Sequence, residues 1–151
     1  MFISIPFEVQ TVVKKESSLT GRSVRSLIAD KLRRETAEKV YSKELINNLN
    51  KLNEIQQLPR NWNGNGARRF PKKTIKKAKS LLIDLNLQPQ VFPTANNSIQ
   101  IEFDGENGAY LEFQITKSTQ LSYYWVQKDG SETSGKVPCT PYSVNQLLES
   151  F

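Results

Sequence analysis

The chain has 151 residues, 21 Lys and Arg against 15 Asp and Glu for a formal net charge of +6, no His and a single Cys. That length supports one sizeable core or two small ones. The missing His excludes Ser-His-Asp and Cys-His catalysis, and the lone Cys139 excludes an intramolecular disulfide and Cys-based zinc or iron–sulfur sites.

No apolar run approaches the roughly 20 residues that a membrane helix needs. The opening residues, MFISIPFEVQ, lack the charged start and apolar core of a signal peptide. The expectation is a soluble cytoplasmic chain that does not touch a membrane. The charge is unevenly placed. Residues 1–57 carry net +3, residues 58–95 net +7 and residues 96–151 net −4. A concentrated basic stretch is the electrostatic footprint of a polyanion partner, and equally of a solvated helix face. The residues concerned are Arg60, Arg68, Arg69, Lys72, Lys73, Lys76 and Lys77.

In chain order, Phe2-Ile3-Ser4-Ile5 is a short β-prone run with Phe2 and Ser4 on one face. Pro6 stops it and suits the first turn of a helix. Val9, Val12 and Val13 give that helix a narrow apolar stripe, and Gly21 can close it in the left-handed conformation. Ser23 is a good N-cap for a second helix, in which Val24, Leu27, Ile28 and Leu32 repeat at helical spacing. Some 33 residues of strand, helix, turn and helix are too few to bury their own core, so a second copy is the expected partner.

The stretch IPFEVQTVVKKESSLTGRSVRSLIADKL resembles a ribbon-helix-helix domain of the CopG/Arc/MetJ type. The resemblance covers roughly residues 1–35. It implies a homodimer whose paired strands enter the DNA major groove, with the N-terminus of the second helix on a phosphate. Carried onto this sequence, the base-facing positions are Phe2 and Ser4. The phosphate-side positions are Ser23, Val24 and Arg25, with Arg22 nearby. Phe2 departs from the family's polar pattern: a phenyl ring contacts a thymine methyl but reads no donor–acceptor code.

Val40, Leu45, Leu49, Leu52 and Ile55 form a helical stripe, and residues 36–57 are expected to be a helical connector or a second dimer contact. Residues 58–151 are expected to be a separate domain. Its turn cluster, Arg60-Asn61-Trp62-Asn63-Gly64-Asn65-Gly66, surrounds an aromatic anchor. Pro71 opens a helix whose apolar face is Ile75, Ala78, Leu81, Leu82 and Leu85. Pro89 and Pro93 end helical possibilities. Four alternating runs follow, Ser98–Phe103, Ala109–Ile115, Gln120–Val126 and Glu132–Val137, with Asp104-Gly105 and Asp129-Gly130 marking hairpins. A last helix is expected over Tyr142–Ser150. The predicted class is α+β: a ribbon-helix-helix module, a helical connector and an antiparallel meander of about four strands packed with helices.

The run LPRNWNGNGARRFP, a helix, then VFPTANNSIQIEF resembles a group of small bacterial and phage proteins with the pattern Trp-(Asp/Asn)-Gly-x-Gly-Ala. That resemblance implies a fold and antitoxin-like accessory partners, and brings no catalytic role with it. Glu102, Asp104 and Glu112 are the best carboxylate cluster, but no Lys stands beside Glu112 as a metal nuclease would want, so solvent-facing hairpin charge is the expectation. No enzyme activity, cofactor or metal is expected. The two functional expectations are a DNA-binding antitoxin or autorepressor, which dimerises and binds operator DNA and a cognate toxin or other target protein, and an inhibitor or adaptor acting by protein binding without specific DNA recognition.

Overall fold

The computed structural model describes residues 18–19, 21, 23–28 and 41–151. The chain divides into two compact units, Met1–Val40 and Tyr41–Phe151.

In the first unit the described residues form a turn and a helix start. Gly21 sits at φ +68°, the left-handed region expected of it. Ser23 caps the helical residues 24–28 by accepting from the Ser26 N–H at 3.2 Å, and Leu27 is buried. The strand expected at Phe2–Ile5, with Phe2 and Ser4, the first apolar stripe, Arg22 and Leu32 lie outside the described residues.

The second unit is mixed helix and strand. Its elements are α1 (Lys43–Gln57), α2 (Lys72–Ile83), β1 (Gln90–Pro93), β2 (Ile99–Asp104), β3 (Tyr110–Ile115), β4 (Gln120–Val126), β5 (Glu132–Pro138) and α3 (Pro141–Glu149), with one 3₁₀ turn at Glu106–Gly108. The strands form one antiparallel sheet in the order β1-β2-β3-β4-β5, a pure meander.

Strict alternation sorts the sheet's two faces. Val91, Ile99, Ile101, Phe103, Leu111, Phe113, Ile115 and Leu121 point into the core. They meet Ile75, Ala78, Leu81 and Leu82 of α2 and Val144 of α3 in one buried cluster. Burying each large aliphatic or aromatic side chain contributes about 1.5–3 kcal/mol. Tyr123 and Trp125 pack partly on this cluster, whereas Tyr124 stands opposite Glu112 on the other face.

Two expectations are corrected. The first concerns residues 43–57, expected in a connector. Leu45, Leu52 and Ile55 belong to the same core cluster, and α1 packs on α2 and against β1. Its polar side is also engaged, since Asn48 Nδ2 donates to the Pro89 carbonyl at 2.9 Å. The apolar stripe is used within the unit; residues 36–40 lie outside the described residues. The second concerns strand number: the sheet has five strands. The missed strand is β1, bracketed by Pro89 and ending on Pro93. It lies at the sheet edge, where a missing N–H breaks no ladder.

Candidate functional site

The Trp-Asn-Gly-Asn-Gly-Ala segment is a self-capped loop. Asn61 takes φ +64°, its N–H donates to the Ala67 carbonyl at 2.7 Å, and its Oδ1 accepts from the Gly66 N–H at 2.6 Å. Asn63 Oδ1 accepts from the N–H groups of Asn65 and Ala67 at 3.0 and 3.2 Å. The loop holds Trp62 with its ring centroid 6.0 Å from that of Phe70. The Trp62 Nε1 atom is buried with no hydrogen-bond partner among the described residues, and the partly buried side chain packs against the core cluster.

The loop's exit, Arg68-Arg69, is then fixed from a distance. Asn97, at φ +66° in the turn between β1 and β2, donates from Nδ2 to the carbonyls of Arg68 and Arg69 at 2.6 and 3.0 Å. Thr94 and Ser98 close that turn through their hydroxyls, 2.7 Å apart. On the opposite side, Lys77 of α2 donates from Nζ to the Thr116 carbonyl at 3.0 Å and to the Ser118 carbonyl, which sets the loop between β3 and β4.

These three backbone segments border an open cleft of about 470 Å³. Arg68, Arg69 and Lys117 supply its charge, Asn96, Asn97 and Ser118 its neutral polar groups, and among the described residues no carboxylate lines it. Pro71, the N-cap residue of α2, also lines it. That helix end has no side-chain cap and no acidic residue in its first turn.

The sequence-predicted basic residues therefore separate into groups. Arg68 and Arg69 face the cleft, both exposed. Lys72, Lys73 and Lys76 are exposed on α2, and Arg60 is exposed in the turn before Trp62. Lys77 is partly buried with its ammonium on two carbonyls, and Lys79 donates to Asn53 Oδ1 of α1, so these two lysines hold the fold. Charge counting found the Arg pair but missed Lys117, Asn96, Asn97 and Ser118, which join it only through chain reversal. Of the candidate DNA contacts, Ser23 is committed to its helix cap, while Val24 is partly exposed and Arg25 exposed beside it.

The outer sheet face is acidic. Glu102 stands opposite Glu112, and Gln100 Nε2 bridges them, donating to Glu102 Oε1 at 2.7 Å and Glu112 Oε2 at 2.9 Å. The Tyr110 hydroxyl donates to the same Glu112 oxygen at 2.7 Å. Burial, and then the hydrogen bond to Glu112, raise the Tyr110 phenol far above its usual range. Asp104 accepts from Gln90 Nε2 at 2.8 Å. The carboxylates are thus held by neutral side-chain donors. Among the described residues no group of three or more His, Cys, Asp or Glu side chains is placed to hold a metal ion. No described helix is long and apolar enough to cross a membrane.

No protein-family model, no curated protein and no solved structure matches this chain.

Proposed function

We propose that the protein is a two-part regulator, a DNA-binding antitoxin or autorepressor whose N-terminal unit dimerises on operator DNA and whose C-terminal unit engages a cognate toxin or other protein. The observation that carries this reading is the division of the chain between Val40 and Tyr41 into two compact units. One holds the stretch that resembles a ribbon-helix-helix domain. Its support is local: the left-handed Gly21, the Ser23 cap and the exposed Arg25 suit a helix start that faces a phosphate.

The deciding experiment is binding to DNA from immediately upstream of the protein's own gene, against shuffled DNA of equal composition, across a salt series. A preference of about a hundredfold or more near physiological salt supports specific readout. Replacing Ser4 and Arg25 by Ala together is expected to weaken that binding and leave the dimer intact. Unchanged binding by this variant overturns the assigned face.

A second reading, a protein-binding inhibitor or adaptor without specific DNA recognition, is favoured by one separate observation: the largest local excess of positive charge, net +7 over residues 58–95, lies in the C-terminal unit and includes the exposed Arg68 and Arg69. It predicts equal, salt-sensitive binding to any DNA and a stable complex with a protein partner.

A further inference from the structure

We propose that the cleft between Arg68-Arg69, the Asn96-Asn97 turn and the Lys117-Ser118 loop is a binding site for a phosphorylated sugar, as carried by a nucleotide or by a nucleic-acid backbone. The inference concerns the C-terminal unit alone and is independent of DNA binding by the N-terminal one.

Three features argue for it. The first is charge: two guanidinium groups and one ammonium border a cleft that no carboxylate among the described residues lines, although the residues from 96 onward carry net −4. The acidic groups of that region lie elsewhere, with Glu102, Asp104, Glu112 and Glu132 on the outer sheet face. Like charges gathered without a counter-charge repel one another, and an anion between them removes that cost. Arginine forks suit phosphate oxygens, which they bind through paired N–H donors.

The second is construction. Asn97 ties down the carbonyls of both arginines, and Lys77 ties down the carbonyls flanking Lys117. The charged side chains thus project from backbone that is already fixed, which lowers the ordering cost of binding. The third is size. About 470 Å³ exceeds what one phosphate fills and falls within the range of small-ligand sites. The Asn96 amide nitrogen and the Ser118 hydroxyl supply neutral donors of the kind that sugar oxygens accept, while the Asn96 Oδ1 and Ser118 Oγ atoms already accept from Thr94 and Ser98 and from the Gln120 N–H.

The test follows backbone amide resonances of the full chain during titration with inorganic phosphate, AMP and a single-stranded oligonucleotide. Shifts at Arg69, Asn97, Lys117 and Ser118 with AMP are expected. If AMP saturates and the oligonucleotide binds no tighter per site, the ligand is a free nucleotide; tighter oligonucleotide binding assigns a nucleic-acid backbone. Inorganic phosphate alone is expected to be weaker than AMP. The variant R68Q/R69Q is expected to lose tenfold or more in AMP affinity, whereas K128Q/K136Q, which removes the same charge outside the cleft, keeps near-parent affinity. Equal losses in the two variants, or no cleft shifts with any of the three probes, overturn the proposal. Shifts confined to residues 18–28 with the oligonucleotide also overturn it while leaving the N-terminal reading standing.

Discussion

The Asn97 side chain donates to the Arg68 carbonyl at 2.6 Å, joining two turns 29 residues apart in sequence. This contact fixes the backbone of a basic cleft through one neutral residue. Asn97 also occupies a left-handed conformation that Asn tolerates better than most side chains. Replacement by Ala removes two hydrogen bonds to carbonyls and adds backbone strain. A loss of about 2 kcal/mol is expected, from roughly 1 kcal/mol for hydrogen bonding and 1 for strain. Urea unfolding of Asn97→Ala and Asn97→Gly separates the two parts, because Gly relieves the strain alone.

Leu52 of α1 is fully buried in the common core. Leu52→Ala is expected to cost about 2–5 kcal/mol, the range for emptying a packed core site. Denaturant midpoints check this. A loss below 1 kcal/mol would mean that α1 does not belong to the C-terminal core.

Gly135 of β5 sits under the Tyr123 ring. A Cβ there would lie 2.9 Å from the tyrosine oxygen and 3.0 Å from Cε1. Gly135→Ala is therefore expected to push the ring aside and destabilise by about 1–3 kcal/mol, as overpacking does. Adding Tyr123→Ala should remove most of the extra cost, since the obstructing ring is then gone. Thermal melts of the single and double variants give the comparison.

Tyr110 is predicted to stay protonated where exposed tyrosines ionise, because burial and its bond to Glu112 oppose the phenolate. A phenol held more tightly by the folded state than by the unfolded chain supports the fold fully below the unfolded pKa near 10. That support declines as pH rises from there through the higher folded value. Ultraviolet titration should show late ionisation that diminishes in Tyr110→Phe, leaving that of Tyr124, whose phenol is raised by its hydrogen bond to Glu132, and the variant should lose less stability between neutral and strongly alkaline pH.

Cys139 is half-buried, and burial pushes its thiol up, with nearby Lys77 opposing the shift only in part. Its reaction with a small alkylating reagent near pH 8 is expected to be slower than that of a free thiol, because less thiolate is present. Equality with the free thiol would place Cys139 in a more open setting.

Much of the C-terminal fold was legible from local chemistry. Period-two alternation located β2 to β5 within a residue or so, and Asp129-Gly130 marked a turn in which Gly130 takes φ +80° and the Asp129 carboxylate accepts from Ser131. Pro71 marked one helix start, and the last helix, expected from Tyr142, begins at Pro141 behind Thr140, which accepts from the Ser143 N–H. β1 was hidden because its prolines argue against a strand unless the strand's place at the sheet edge is known.

The sequence by itself determined the helical stripes, the alternating strands, the turn residues and the excess of positive charge before Val91. These depend on the few residues on either side of each position. Only the tertiary structure decided where the stripe of α1 is buried, which lysines are taken up by carbonyls, and that Arg68, Arg69 and Lys117 border one cleft. Those outcomes rest on contacts such as Asn97 to Arg68 and Lys77 to Ser118, between residues whose chain separation exceeds the reach of any local pattern.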